Sequence, residues 1–595
     1  MFPFLRSKNN TALYNISTFG GLNKNHRHDI GELTECLNTS SENYPVLCTS
    51  KAPSSERTFS NTALTAGYFN KLYTIEYSGE ESGNIYLCHN AAQTPIGEYS
   101  TAEEVQKPRK LAFIKNQILA IPDNVIYNTN SDTAKPGCVS QSMSETLAQA
   151  KFEKESQTDD DMPMVYNTWY SGYLSGNSII SFHKGYRPSS TTYQFYNFSL
   201  SENFEAGDIV TVKMTVKPID EERDDAFKAY VKKMANGVTL KIKNLVKTTH
   251  NTPSGSITEY TEVEFEDGTL DHGGYNEVFV LNITVEKGIP NFVDICSSGN
   301  RMWGVTADSI HASKLGDCSM WQDFTADSYG VLPSSSFETG VESDGNFTAI
   351  TSYNGNIIAF KEDCIYKIYG NEPKEFTLSR KDFPGVCEGG ADTLVNVSGT
   401  LYYRGKDGIY AYSGSVPRLI SKNILTKDSV CTHASGDDRF YYVIAVSEGK
   451  EGMYVYDTLC KVWHFRESCA GTVKLVNTSE GVKCITSKEI FDINATFPKE
   501  WYFTFGLGDE EFSDKHICSV YFRYCLGEGA RFELYLINEH KTYRLATGNQ
   551  KIENGVMKLR LPVSCNKNHT LKFSGNGYFS LNSMEIGFRE TGIYK

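Results

Sequence analysis

The chain has 595 residues, so length alone calls for roughly three or four domains or a repeat architecture with appendages. It carries 58 Lys and Arg against 72 Asp and Glu, a formal charge of −14, which argues against a protein that wraps a phosphate backbone with clustered cations. Aromatic residues make up 12%, mostly Tyr and Phe, and with the Thr and Gly content they point to β structure. The fifteen cysteines show no C-x-x-C spacing, which removes the signature of zinc ribbons and thioredoxin-type sites. Cys318, Cys364, Cys460 and Cys484 sit in strand-like runs and read as buried free thiols, suited to folding in a reducing cytosol. The start "MFPFLRSKNN" lacks the apolar core of a signal peptide, and no apolar run reaches the roughly 18 residues of a membrane helix.

In chain order, residues 1–60 form a polar arm with spaced apolar anchors, Ile30, Leu33, Leu37, Tyr44 and Leu47. Residues 61–130 hold two short strand pairs, "SGNIYLCHN" and "KLAFIKNQILAIPDNVIYNT". Residues 131–295 interrupt the pattern with alternating strands such as "DIVTVKMTVKP" and "EVFVLNITVEKG". They also hold one clear helix signal, "RDDAFKAYVKKMANG", with Phe227, Tyr230, Val231 and Met234 on one face and Gly237 as terminator. Residues 296–498 return to strand pairs. Residues 499–595 alternate as in "ARFELYLINEHKTYRLATG" and read as a β-sandwich.

The strand pairs repeat. "SYNGNIIAFKEDCIYKIYG" (352–370) aligns with "VSGTLYYRGKDGIYAYSG" (397–414) at an offset of 44, matching Gly355 with Gly399, Asp363 with Asp407, Ile365 with Ile409 and Tyr366 with Tyr410. A further 44 residues reach Met453 and Tyr454. Marker residues at 85, 126, 310, 365, 409, 453 and 490 are spaced by 41, 184, 55, 44, 44 and 37. A period near 40–45 with several strands per unit predicts a β-propeller of six or seven blades. The step of 184 marks an inserted β-rich domain with one or two helices. The Ile-Tyr pairs are expected in the core.

Together, "FGGLNKNHRHDIGELTECLNTSSENYPVLCTSKAP" (19–53), "NRMWGVTADSIHASKLGDCSMWQDF", "DGIYAYSGSVPRLIS" and "YVYDTLCKVWHF" resemble virion structural proteins of tailed bacteriophages, of the β-propeller hub, stabilisation or tail-nozzle type. The resemblance covers the arm and most of the repeat region, not the insert or the C-terminal sandwich. It implies a cyclic homo-oligomer, commonly a hexamer, in the neck or short tail. Such a ring extends the DNA exit channel and docks portal or adaptor rings and other tail proteins. DNA would pass without sequence-specific binding, and assembly would occur in the host bacterial cytoplasm, with no membrane partner. An acidic wall is compatible with sliding DNA. The arm residues Gly20, Gly21, Leu22, Asn23, Ile30, Leu33, Tyr44, Pro45 and Leu47 are the candidate interface, with packing against the chain's own propeller as the other reading.

Chemistry finds little purchase. "VESDGNFTAI" approaches the turn of sialidase-type propellers but lacks its Trp, and sequence cannot choose a carboxylate pair for glycoside hydrolysis among 72 acids. "TDDDMP" lacks the spacing of a calcium loop, and "HRHD" lacks further ligands for a metal. The lysines at 232, 233, 241, 243 and 247 read as a solvated face. The expectation is a protein that is not an enzyme, with no catalytic residues, metal or cofactor. The alternative is a particle-surface protein that binds host glycan through the insert, where Trp169 lies among tyrosines, or through the C-terminal domain.

Overall fold

The computed structural model describes residues 11–590 except 26–28, 30, 80–81, 90–91, 100–104, 106, 145–149, 154–167, 175–178, 190–191, 198–203, 205, 219–224, 252–256, 266–277, 325, 329, 508–514, 539 and 562–568. It is mainly β, built from many antiparallel sheets. Seven of these are four-stranded, and each third strand carries one of the repeat markers. In chain order, their first strands are Thr62–Phe69, Lys110–Ile114, Asp294–Ser298, Ala349–Tyr353, Val395–Val397, Val430–Gly436 and Thr472–Thr478. The repeat arises from turn chemistry and burial together. Asn354–Gly355 and Ser398–Gly399 have positive φ at both positions, the two-residue hairpin turn that matches strand twist, which is why glycine recurs at the offset of 44. The second strands, such as Asn356–Phe360 and Thr400–Gly405, are apolar almost throughout and buried. Alternation fails there because both sheet faces are covered. Ile365, Tyr366, Ile409 and Tyr410 are all buried.

Each sheet packs on the next through an apolar core. Ile75 and Ile118 share the core between the first and second sheets, and Ala112 and Ile295 that between the second and third. Val305 and Ile357 join the third to the fourth, and Phe360 and Tyr403 the fourth to the fifth. Tyr402 stacks on Tyr441 between the fifth and sixth, and Val455 and Leu475 lie between the sixth and seventh. Ala66 and Ile485 then join the seventh sheet to the first, and the Ala63 amide donates to the Ser487 carbonyl at 2.9 Å. The seventh sheet takes its fourth strand from the far end of the chain: Ala52–Thr58 pairs with Glu489–Thr496.

Two appendages accompany this cycle. The insert contributes a nine-stranded sheet between Val139–Ser144 and Val278–Lys287, with one helix at Asp225–Asn236 and Met234 buried beneath it. The insert is therefore shorter than the sequence suggested, because Thr133–Pro136 completes the second four-stranded sheet and Asp294–Ser298 opens the third. The C-terminal region forms two sheets packed over Trp501, Phe503, Phe522, Phe573 and Phe579. The N-terminal arm adds four strands to these two sheets: Thr11–Ile16, Glu35–Leu37, Thr39–Ser40 and Leu47–Thr49.

The arm is threaded between the sixth sheet and this sandwich. The Leu22 amide donates to the Trp463 carbonyl at 2.7 Å, and the Asn38 amide to the Phe465 carbonyl at 2.9 Å. On the other side Glu35–Leu37 pairs with Trp501–Gly506. A methyl group on Gly21 would lie 2.6 Å from both the backbone nitrogen and oxygen of Trp463, atoms that cannot move without breaking the strand. Gly21→Ala is therefore expected to lower the thermal midpoint of the isolated chain, by an amount corresponding to about 1–3 kcal/mol. An unchanged midpoint would show that the arm does not pack as described.

Candidate functional site at the meeting point of the first strands

The first strands and the turns leading into them bring five ionisable side chains together from segments far apart in sequence. Lys110 opens the first strand of the second sheet, and its ammonium donates to Asp294, which opens that of the third. Asp294 is buried and also accepts the amides of Ile295 at 2.9 Å and Ile350 at 2.8 Å, the latter from the fourth sheet. Asp392 lies in the turn before the first strand of the fifth sheet. It holds the Lys474 ammonium of the seventh sheet, and His433 Nδ1 of the sixth stands 3.5 Å from its other oxygen. A cavity of about 220 Å³ adjoins the cluster, lined by Lys110, Lys474, Tyr68 and Asn477 among others.

The two carboxyls have opposite electrostatics. Burial pushes Asp294 up, against the pull of Lys110 and its backbone donors. Burial also acts to raise Asp392, but Lys474, His433 and the more distant Lys110 together outweigh it and hold the group well below the usual carboxylate range. Such divergence arises both in acid–base sites and in structural ion-pair networks. Here it couples the second sheet to the third and fourth, and the fifth to the sixth and seventh. Sequence reading missed all five residues. Their shared position, at or just before a first strand, was the only signal available.

The sequence-selected arm residues lie elsewhere. Gly21, Leu22, Asn23, Leu33 and Leu47 are buried within the chain and Gly20 is half-buried, whereas Tyr44 and Pro45 are exposed. Ile30, the histidines of "HRHD" and the "TDDDMP" tract fall outside the described residues. Next to Tyr44 the arm is held by a second ionic cluster. Arg439 Nη2 donates to Asp457 at 2.7 Å and to the Ser41 carbonyl at 2.8 Å, and Ser41 Oγ donates to Asp457 at 2.6 Å. Burial opposes ionisation of Asp457, but these donors and two backbone amides hold its carboxyl below the ordinary range. Thr39 Oγ1 lies 3.0 Å from His464 Nδ1, and burial brings the His464 imidazole down to about 4. Among the described residues no group of three His, Cys, Asp or Glu could hold a metal ion, and no helix is long and apolar enough to cross a membrane.

No family model and no curated protein matches the chain. Among solved structures it aligns with an exo-β-1,3-galactanase from Phanerochaete chrysosporium, determined with galactose, at 8% identity and a TM-score of 0.17, over 88% of this chain and 95% of that one. It also aligns with the extracellular domain of a putative one-component system from B. thetaiotaomicron, at 9% identity and a TM-score of 0.17, over 94% and 98%. A third is a glycoside hydrolase family 43 arabinoxylan arabinofuranohydrolase from Bacillus subtilis, at 9% and 0.15, over 89% and 96%. Likenesses this distant transfer no activity to this chain. They do correct one expectation: the sequence reading placed the protein outside the enzymes, the structures it aligns with include glycoside hydrolases, and that exclusion is withdrawn.

Asp392→Asn would leave the largely buried Lys474 ammonium facing a neutral amide. The expected loss is about 3 kcal/mol, read from the urea midpoint at pH 7, with much of it recovered in the Asp392→Asn, Lys474→Met double variant. A midpoint equal to that of the parent would remove the cluster from the stability of the cycle. His464 generates a second expectation. Its folded value near 4 lies below the ordinary 6.5, so between these values the unfolded chain binds the proton and the folded one does not. Stability should fall as the pH drops through this window, by about 3 kcal/mol in all. His464→Asn should flatten thermal midpoints measured between pH 6.5 and 4.5, and an unaltered slope would exclude this residue as the source.

Proposed function

We propose that the seven four-stranded sheets close into a seven-bladed β-propeller, sealed by the N-terminal strand Ala52–Thr58, and that the protein is a structural component of a tailed-phage virion. In this reading copies of the chain form a ring in the neck or tail that extends the DNA exit channel and docks neighbouring tail proteins. The observation that carries it is the course of the arm. The arm, one of the segments that resemble phage hub and nozzle proteins, is built into two bodies at once, pairing with the sandwich strand Trp501–Gly506 and bonding to the sixth-sheet strand Val462–Arg466. That makes the sheet cycle and the sandwich one stiff block, the mechanical property needed in a wall around a pressurised channel. Of the described candidate interface residues, Tyr44 and Pro45 stay exposed, beside the Arg439–Asp457 cluster, and are available to a neighbour.

The test is mass photometry of the purified chain, alone and with phage portal or adaptor rings, followed by electron-microscopy class averages. Cyclic rings, formed alone or on the partner, are the expected outcome and report the subunit number directly. A chain that stays monomeric with every ring overturns the reading.

A further inference from the structure

Two cysteines meet in the core between the sixth and seventh sheets. Cys469 precedes the first strand of the seventh sheet, and Cys484 lies in its second strand, Gly481–Thr486. Ala470 and Gly471 turn the chain, with Gly471 at φ 70°, a conformation glycine adopts without strain. Thr472 closes the turn: its Oγ1 donates to the Cys469 carbonyl at 2.6 Å and lies 3.3 Å from Cys484 Sγ. The strand is bulged between Thr472 and Lys474, which lets the preceding turn fold back over the second strand. The two side chains then lie in one apolar core cluster, with the Cys469 thiol directed at the Cys484 sulfur as a hydrogen-bond donor. Both are buried, at 7% and 1% exposure.

We propose that Cys469 and Cys484 form a disulfide when the folded protein passes from a reducing environment to one containing a small-molecule disulfide, stapling the turn ahead of the seventh sheet to that sheet's second strand. The proposal does not depend on the phage reading. The Cys484 sulfur receives a hydrogen bond from the Cys469 thiol, which favours the Cys484 thiolate and brings its ionisation below the usual thiol value, while the Thr472 hydroxyl donates to the Cys469 carbonyl. That thiolate attacks one sulfur of the reagent R–S–S–R, breaking its S–S bond and expelling RS⁻. Cys469 then loses its proton and attacks Cys484 Sγ in the mixed disulfide, expelling the second RS⁻. The two protein thiols are oxidised, one reagent disulfide is reduced to two RSH, and the two protein protons end on the two RS⁻. The sulfurs need only move from hydrogen-bond contact to the covalent distance of about 2.05 Å. Because both are buried, the reagent reaches them when the turn ahead of Thr472 opens. The pair should react more slowly than the exposed Cys138, yet end as a closed disulfide and not as a capped thiol.

The experiment uses the full folded chain incubated with 2-hydroxyethyl disulfide, then alkylated under denaturing conditions and digested with trypsin. Cleavage after Arg466, Lys474, Lys483 and Lys488 places the two cysteines on separate peptides, 467–474 and 484–488. The expected product is these two peptides joined, two hydrogen atoms lighter than their sum, with the thermal midpoint of the oxidised chain raised by a few degrees and returned by dithiothreitol. Cys469→Ser should abolish both the linked peptide and the rise. Recovery of Cys469 and Cys484 as alkylated free thiols, or each capped singly by the reagent, would overturn the proposal. The peptide map is made on the unaltered chain, so it decides the question even if the variant does not fold.

Discussion

The fold rests on a constraint of burial. The second strands of the four-stranded sheets are largely buried, so each sheet has two faces to hide, and the described helix Asp225–Asn236 belongs to the insert and does not cover them. Only another sheet on each side can do this. A stack with two ends would leave two apolar faces in water, and residues of the seventh sheet and the first share an apolar cluster. The same logic explains why the seventh sheet takes a strand from near the N-terminus. Pairing Ala52–Thr58 with Glu489–Thr496 supplies the fourth strand of the seventh sheet and ties the two ends of the repeat region together by a hydrogen-bonded ladder.

The pairing of Ala52–Thr58 with Glu489–Thr496 dictates the path of the arm. A chain whose residues 52–58 sit in the last sheet must bring residues 11–51 alongside that sheet and its neighbours. The arm passes over Trp463 and Phe465 and then adds strands to both sheets of the C-terminal sandwich. Leu22, Leu33 and Leu47 thus share one continuous core with Tyr441 and Tyr454 of the sixth sheet and with Phe503 and Phe573 of the sandwich. A few buried residues gather several of the polar groups along the path. Asp457 gathers Arg439, Ser41 and two backbone amides, and Arg466 donates to the carbonyls of Lys51 and Ile493. The Ser41–Asp457 and Arg466–Lys51 bonds link segments more than 400 residues apart and tie the arm to the sixth sheet.

The ionic cluster at the first strands follows the same geometry. First strands of successive sheets lie closest to one another, and charged residues placed there have no water shell large enough to separate them. Lys110 and Asp294, and Lys474 with Asp392, neutralise each other across sheet junctions. Placing the pairs between sheets, not within them, makes each junction specific in a way that the interchangeable apolar contacts are not.

Much of this was legible in the chain. The turn glycines at 355 and 399, the Ile-Tyr pairs after them and the period of 44 follow from local chemistry, since a hairpin with two residues at positive φ and a strand buried on both faces leave a mark in any sequence that forms them. Of the apolar anchors of the arm, Leu33 and Leu47 are buried and were equally visible. What covers them was not. The use of Ala52–Thr58 as the last strand, the sharing of the arm between two bodies, the meeting of Lys110 with Asp294 and of Asp392 with Lys474, and the contact of Cys469 with Cys484 are decided by which sheets become neighbours. Local propensity extends over a few residues, whereas these partners are brought together only when the whole cycle of sheets has formed.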